Sequence, residues 1–379
     1  MNFELNEEHR LIQKTSREFA QNELLPEVLK RDEGKIWPED AVKKMADLGF
    51  MGIMVDQKYG GGGMDTISYT IAMEEIAKVD AAASVIMSVN NSLVCSVIES
   101  HGDDFQKKEY LTPLARGEKL GGFCLSEPEA GSDATSQKTS AIDKGDYFLL
   151  NGTKNWITNA QTADLFIVIA HSDYELGHKG INAFIVERKW NGVEVGPKEN
   201  KLGIRGSDTN SVMFNDVKVP KKNMLGKNGE GFKIAMKTLS GGRIGIAAQA
   251  LGIASGAYDL ALNYSKERKA FGKPISNHQA VAFKLSDMIT GIEAGRLLCL
   301  KAAWNKDNNL SYDIESAMAK VFCSELSMKV ASEAIQVHGG YGYVKEYHVE
   351  RMLRDAKITE IYEGTSEIQR IVISRSVLK

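Results

Sequence analysis

The sequence is short of the residues that staple or metallate small proteins. Its four cysteines, Cys95, Cys124, Cys299 and Cys323, stand far apart with no CxxC pair. That argues against a disulfide framework and reads them as reduced, mostly buried small hydrophobes. The seven histidines show neither HxxxH nor HExxH spacing, so no metal site is expected. No uninterrupted apolar run approaches the roughly 20 residues that span a bilayer, so no membrane role is expected. The opening "MNFELNEEHR" lacks the apolar core of a secretory signal, and the closing "SRSVLK" carries no peroxisomal tripeptide or prenylation box. The cytoplasm is therefore the expected compartment. A net charge of −3 gives no electrostatic reason to expect nucleic acid. The chemistry left open uses carboxylates, hydroxyls or an organic cofactor.

A chain of 379 residues has room for two or three domains, and its 43% hydrophobic and 26% charged content suits a globular protein. Residues 1–120 read as an all-α domain. "NEEHRLIQKTSREFAQNEL" places Leu11, Ile12, Thr15, Phe19 and Leu24 near a 3.6-residue period. "SYTIAMEEIAKVDAAASVIMSVNNSLVCSVIESHG" predicts one or two helices buried on most sides. "KYGGGGMD" between them predicts a flexible loop. Over 121–228, short aromatic and β-branched runs separated by Gly, Asn and Asp predict an antiparallel β domain. Over 229–379 helical periodicity returns with few prolines, through Ala317, Val321, Ser324, Met328 and Ala331, as in a helical bundle. The fold class is α+β, in the order helical, β, helical.

Five stretches could carry chemistry, each with a plainer reading beside it. "FCLSEPEAGSD" (123–133) can aim backbone N–H groups and the Ser126 or Ser132 hydroxyl at a ligand, or can be a strand ending in a turn. Trp156-Ile157-Thr158 puts an indole and a hydroxyl two positions apart on one strand face, fit for a flat heterocycle or for a core. "SGGRIGIAAQALG" (240–252) suits either a ligand near Arg243 or a helix–helix seam. "ERKAFGKPISNHQA" combines Arg268, Phe271 and Gln279, fit for a diphosphate or for solvent. "QVHGGYGYVKE" ends a helix on Gly339 or Gly340, which a C-cap alone explains.

In this order and on this frame, the stretches resemble the acyl-CoA dehydrogenase flavoprotein family over essentially the whole chain. "LSEPEAGSD" and "RDAKITEIYEGTSEIQR" are the most specific motifs, and the end of the chain is most similar to the short-chain, butyryl-type branch. The resemblance implies a central β-barrel or sandwich and a C-terminal four-helix bundle. It implies FAD as cofactor, α,β-dehydrogenation of an acyl-CoA to a trans-2-enoyl-CoA, and electron transfer to electron-transferring flavoprotein. It places Phe123, Leu125, Ser126, Gly131 and Ser132 along the flavin, with Ser132 also near CoA. Trp156, Ile157 and Thr158 would sit beside the isoalloxazine. Arg268, Phe271, Gln279, Gln336, Val337, His338, Gly339 and Gly340 would contact the FAD of a neighbouring subunit, implying a homotetramer built as a dimer of dimers. Thr365, Ser366 and Glu367 match a further flavin contact; Ser240, Arg243 and Gly364 match substrate contacts. Glu363 matches the catalytic base.

In that chemistry the base removes an α-proton, its own backbone N–H helps hold the developing enolate oxygen, and the β-hydrogen leaves as hydride to the flavin. Locally, Ser366-Glu367-Ile368-Gln369 fits a capping box and predicts a helix from about Glu367, with Glu363 at its entrance; a surface acid is the competing reading. Some relatives carry their base where Gly242 stands, and glycine cannot serve. The stretch 81–92 lacks the arginine that glutaryl-type members use for a second carboxylate, which argues against a dicarboxylyl substrate. Ser240 stands where many short-chain relatives have aspartate. The remaining alternatives are an acyl-CoA oxidase and a non-catalytic flavin- or acyl-CoA-binding subunit.

Overall fold

A computed structural model of the chain describes residues 4–378; residues 1–3 and 379, on which the readings of the termini partly rest, lie outside the described residues. The first helix, α1 (Glu7–Phe19), starts where the Asn6 side chain accepts the His9 N–H at 2.7 Å, satisfying a donor that has no intrahelical partner. Phe19 and Leu24 are buried as their spacing predicts, but Leu11 is 63% exposed. His9 faces inward instead, its imidazole 2.9 Å from Asp65. After two shorter helices, Val28–Gly34 and Glu39–Asp47, Asp65 and Asp80 cap α2 (Thr66–Ala77) and α3 (Ala81–Ser88). α3 continues through a wider π turn, Val89–Cys95, into Ser96–His101. These helices are apolar on nearly every side because protein covers them on nearly every side. By length and composition, Ala81–His101 and the later α4 (Gly231–Glu267) could cross a bilayer, yet both are mostly buried within the protein. The glycine run is not the loose loop its composition predicts. Gly62, Gly63 and Met64 donate to the carbonyls of Gly52, Val55 and Ile53 at 2.8–2.9 Å, backbone lying directly on backbone.

Eight strands form the middle domain: β1 (Gly121–Cys124), β2 (Ser140–Asp143), β3 (Tyr147–Thr158), β4 (Leu165–His171), β5 (Ile181–Glu187), β6 (Val193–Val195), β7 (Thr209–Pro220) and β8 (Met224–Leu225). Their order is β6-β7-β3-β2-β4-β5-β8, with β1 alongside β4. The expectation of a purely antiparallel domain is corrected. β1 runs parallel to β4 from Gly121↔Leu165 to Cys124↔Val168, and β2 meets β4 in parallel at Ser140↔His171. The sheet is mixed, and no closed barrel forms among the described residues. β1 is delivered by the helical domain rather than by a hairpin, so no tight turn forces it antiparallel. β4 is buried on both faces: Leu165, Ile167 and Ile169 join the core shared with the helices, while Phe166, Val168 and Ala170 join the core of the sheet itself.

The C-terminal domain is a helical bundle of α4, α5 (Gln279–Asp307), α6 (Asp313–His338) and α8 (Ser366–Val377), with α7 (Val349–Thr359) leading into α8. α4 has 37 residues, about 55 Å of helix, and touches the N-terminal helices, the sheet, α5, α6 and α7. Of the periodic positions on α6, Ala317, Ser324 and Ala331 are buried, while Val321 and Met328 are half-buried. All four cysteines are buried and free.

A charged junction ties the three domains together just before the last loop. Arg354 pairs with Asp32 at 2.7 Å and with Glu350 at 2.8 Å, Arg31 with Asp80 at 3.0 Å, and Arg351 with Asp355 at 2.9 Å. Asp355 also accepts the Ile204 N–H at 2.5 Å, reaching the loop before β7. Burial raises the Asp355 carboxyl to about 6.

Candidate active site

The loop from α7 to α8 holds the candidate base. Glu363 has φ 52° and Gly364 φ 93°, two successive left-handed residues, the first of which a side chain ordinarily disfavours. Several bonds fix this conformation. The Ser366 N–H donates to the Glu360 carbonyl at 2.9 Å and closes the loop. Gln369 Nε2 donates to the carbonyls of Glu363 at 3.2 Å and Gly364 at 2.8 Å. Lys320, fully buried on α6, donates to the same Gly364 carbonyl at 2.8 Å. The expected capping box is corrected by one residue: the helix begins at Ser366, and Thr365 caps it by accepting the Ile368 N–H at 3.3 Å. Gln369 is thereby released to hold the loop rather than the cap.

The Glu363 side chain points into a site framed by α4. Its Oε2 is buried with no hydrogen-bond partner, and a Cβ on Gly242 would stand 2.0 Å from it. Leu93, from the π turn, closes in on the same point. One turn along α4, at Gly245, the Tyr69 hydroxyl donates to Ser88 Oγ at 3.0 Å, and about two turns along, the Tyr362 hydroxyl donates to Gln249. Burial raises the Glu363 carboxyl to about 8, opposed by the positive charges of Lys320 and Arg243. Burial likewise lowers the Lys320 ammonium to about 8 and pushes Arg243 down. The backbone N–H of Glu363 has no acceptor among the described residues. An acid held near neutrality beside an open amide N–H can take a proton and help hold the oxyanion that results.

The other sequence-predicted residues fall into two groups. In the first, the 123–132 and 156–158 segments come together: the Asn155 N–H donates to the Ser126 carbonyl at 2.8 Å. Beneath them lies Lys154, fully buried, with Nζ 2.9 Å from the Leu125 carbonyl, 2.8 Å from Glu127 and 3.0 Å from Gln137. Phe123 and Leu125 face the shared core, Gly131 and Ser132 are exposed, and Ile157 faces the core of the sheet. The simple alternation expected for Trp156 and Thr158 is broken by a bulge between Lys154 and Ile157; Trp156 has φ 62° and is 61% exposed. Thr158 stays half-buried, paired with Thr209. Ser240 returns its hydroxyl to the Met236 carbonyl at 3.3 Å, whereas Arg243 Nε is buried without a partner.

The second group lies at the far end of the bundle. The Arg268 guanidinium stands 5.7 Å from the Tyr341 ring, and Phe271 meets His278 at 5.8 Å. His338 stacks on Tyr264 at 4.3 Å and bonds the Ala334 carbonyl at 2.8 Å; Val337 is buried, while Gln279, Gln336, Gly339 and Gly340 are exposed. His338 and Lys320 are both on α6, about 27 Å apart along the helix. In one chain this group is therefore remote from Glu363.

Comparison with known proteins decides the family. The acyl-CoA dehydrogenase N-terminal domain matches residues 6–118, the middle domain 122–217 and the C-terminal domain 229–378. The chain belongs to the acyl-CoA dehydrogenase family. It is 49% identical to the short-chain specific acyl-CoA dehydrogenase of Clostridium acetobutylicum, over all of both chains. Butyryl-CoA dehydrogenase from Megasphaera elsdenii is 45% identical and superposes with a TM-score of 0.98 over all of both chains. A chain solved in work on the electron transferring flavoprotein of Acidaminococcus fermentans is 48% identical, with a TM-score of 0.99 over all of both. Acyl-CoA dehydrogenases are FAD flavoproteins, and the residues here fit that group. Ser366 Oγ, Gln369 Oε1 and Glu363 Oε2 are buried without partners and Trp156 is turned outward, leaving polar and aromatic groups for a bound flavin and substrate to satisfy.

Sequence reasoning had missed Lys154, Lys320, Gln249 and Gln369's hold on the loop. An inward-pointing lysine in the alternation of β3 was the available signal for the first. Nothing local marked the second.

Proposed function

We infer that the chain catalyses FAD-dependent α,β-dehydrogenation of a short- to medium-chain acyl-CoA, Glu363 removing the α-proton, with electrons passed to electron-transferring flavoprotein. The observation that carries this reading is the buried, unpartnered Glu363 carboxylate, held on a left-handed loop with its proton affinity raised to about 8. When bound, FAD supplies the acceptor for the β-hydride. The chain's own part is to orient and deprotonate. An acyl chain entering beside Leu93 and Gly242 expels water, Glu363 takes the α-proton, and its backbone N–H meets the thioester oxygen as charge develops there. Phe123, Leu125, Ser126, Gly131, Ser132, Trp156, Ile157, Thr158, Thr365, Ser366 and Glu367 would hold the flavin, and Ser132, Ser240, Arg243 and Gly364 the substrate. The remoteness of Arg268, Phe271, Gln279 and Gln336–Gly340 from Glu363 supports their serving a second subunit's FAD, in a cytoplasmic homotetramer.

The test is anaerobic mixing of the yellow protein with acyl-CoA substrates of four to sixteen carbons. Bleaching, with kcat/KM greatest for the short chains, is expected; a maximum at long chains refutes the chain-length assignment. Reduction by none of them would leave a non-catalytic binding subunit, and rapid peroxide formation in air would make the protein an oxidase.

A further inference from the structure

Lys320 is a fully buried lysine that the mechanism above does not use. Such an amine is expensive to bury without a partner. Among the described residues its ammonium makes one hydrogen bond, to the Gly364 carbonyl, on the residue that follows the proposed base. The same carbonyl also accepts from Gln369, so two donors from two helices pin the peptide that sets the left-handed Glu363–Gly364 pair. The charged groups facing Lys320 are Glu363 and Glu360 from the loop, Glu367 from α8 and Arg243 from α4. Arg243 is itself drawn toward Asp313, at the start of α6, and the Tyr69 and Tyr362 hydroxyls lie within the field of Glu363.

We propose that Lys320 is a positioning residue for the proposed base: it holds the Gly364 carbonyl so that Glu363 stays aimed beside Gly242, and its positive charge favours the carboxylate form. The proposal rests on Glu363 being the base. Without the ammonium, two effects follow. The loop loses a charge-assisted bond and can leave its left-handed conformation. Glu363 loses a positive neighbour and keeps its proton to a higher pH, because a cation stabilises only the ionised form. Arg243 remains, but its Nε makes no bond in the site and its burial opposes its own charge.

The test measures flavin reduction by butyryl-CoA against pH in the FAD-loaded parent, Lys320→Gln, Lys320→Met and Lys320→Arg, together with amide hydrogen exchange over residues 360–369 without substrate. Lys320→Met should reduce roughly tenfold more slowly at neutral pH, with the rising limb of the profile moved to higher pH and faster exchange in the loop. Lys320→Gln, which can keep the bond without the charge, should show the moved limb with parent-like exchange. Lys320→Arg should keep the parent's limb. Parent-like limbs in both uncharged variants would overturn the proposal. If those two fail to retain flavin, Lys320→Arg decides: a limb moved to higher pH overturns it. A parent that no acyl-CoA reduces would instead defeat the dehydrogenase reading itself.

Discussion

Gly242 and Glu363 share one space: a Cβ on the glycine would stand 2.0 Å from Oε2 of the carboxylate and 2.8 Å from its Cδ. A side chain at 242 and the carboxylate at 363 are therefore mutually exclusive in this chain. An occupied position 242 would displace the carboxylate at 363.

That relationship gives the first prediction. Gly242→Ala should fold, since alanine favours a helix interior over glycine, but it must push the Glu363 carboxylate aside. Misplacing a catalytic group by about 1 Å costs roughly 100-fold in rate. Rapid-mixing measurement of flavin bleaching by butyryl-CoA should show a loss of that order; a parent-like rate would mean that the carboxylate does not act from where it stands.

Glu363 also sets a pH dependence of stability. Its folded-state value is raised from an ordinary 4.5 to about 8. Above 4.5 the unfolded chain releases this proton while the folded chain keeps it until about 8. The stability that the raised value confers is complete below 4.5 and is lost as pH climbs through 8. Glu363→Gln, neutral throughout, should therefore melt higher than the parent at pH 8 and lie closer to it at pH 5. Equal melting differences at both pH values would contradict the burial of this carboxylate.

How much of this was legible in the sequence depended on what each residue contacts. The capping pattern Ser366–Gln369 located the turn after Glu363 but placed the cap one residue late, because Thr365 caps the helix without a Glu or Gln three residues on. Gln369 could not be recognised as a loop anchor because its acceptors are main-chain carbonyls, which leave no mark on sequence. Lys320 was invisible for a related reason, and Lys154 was marked only by its inward place in the alternation of β3. Lysine is ordinarily exposed, and their partners at 125–137 and 364 come from other elements. The bulge at Trp156 broke a strand alternation that its neighbours obey. The helical–β–helical order was readable from periodicity and composition, whereas Glu363 and Gly242 were marked by the family resemblance, local pattern adding only that Glu363 stands near a helix start.

Lys154 supplies a further prediction. Lys154→Met removes three bonds at once and leaves Glu127, itself buried, without its cation. Removing one partner of a buried ion pair costs about 3–5 kcal/mol. Denaturant titration of the variant should show a loss of that order, and gel filtration should show weaker retention of flavin, because the 125–139 segment loses its anchor. A loss near zero would mean that Glu127 finds another partner or takes up a proton.

The most direct measurement is anaerobic rapid mixing of Glu363→Gln with butyryl-CoA, beside the parent, with flavin absorbance followed over time. If Glu363 removes the α-proton, the parent bleaches while the variant stays yellow, although it still binds the thioester and retains its FAD. Bleaching of Glu363→Gln at the parent's rate would contradict that role.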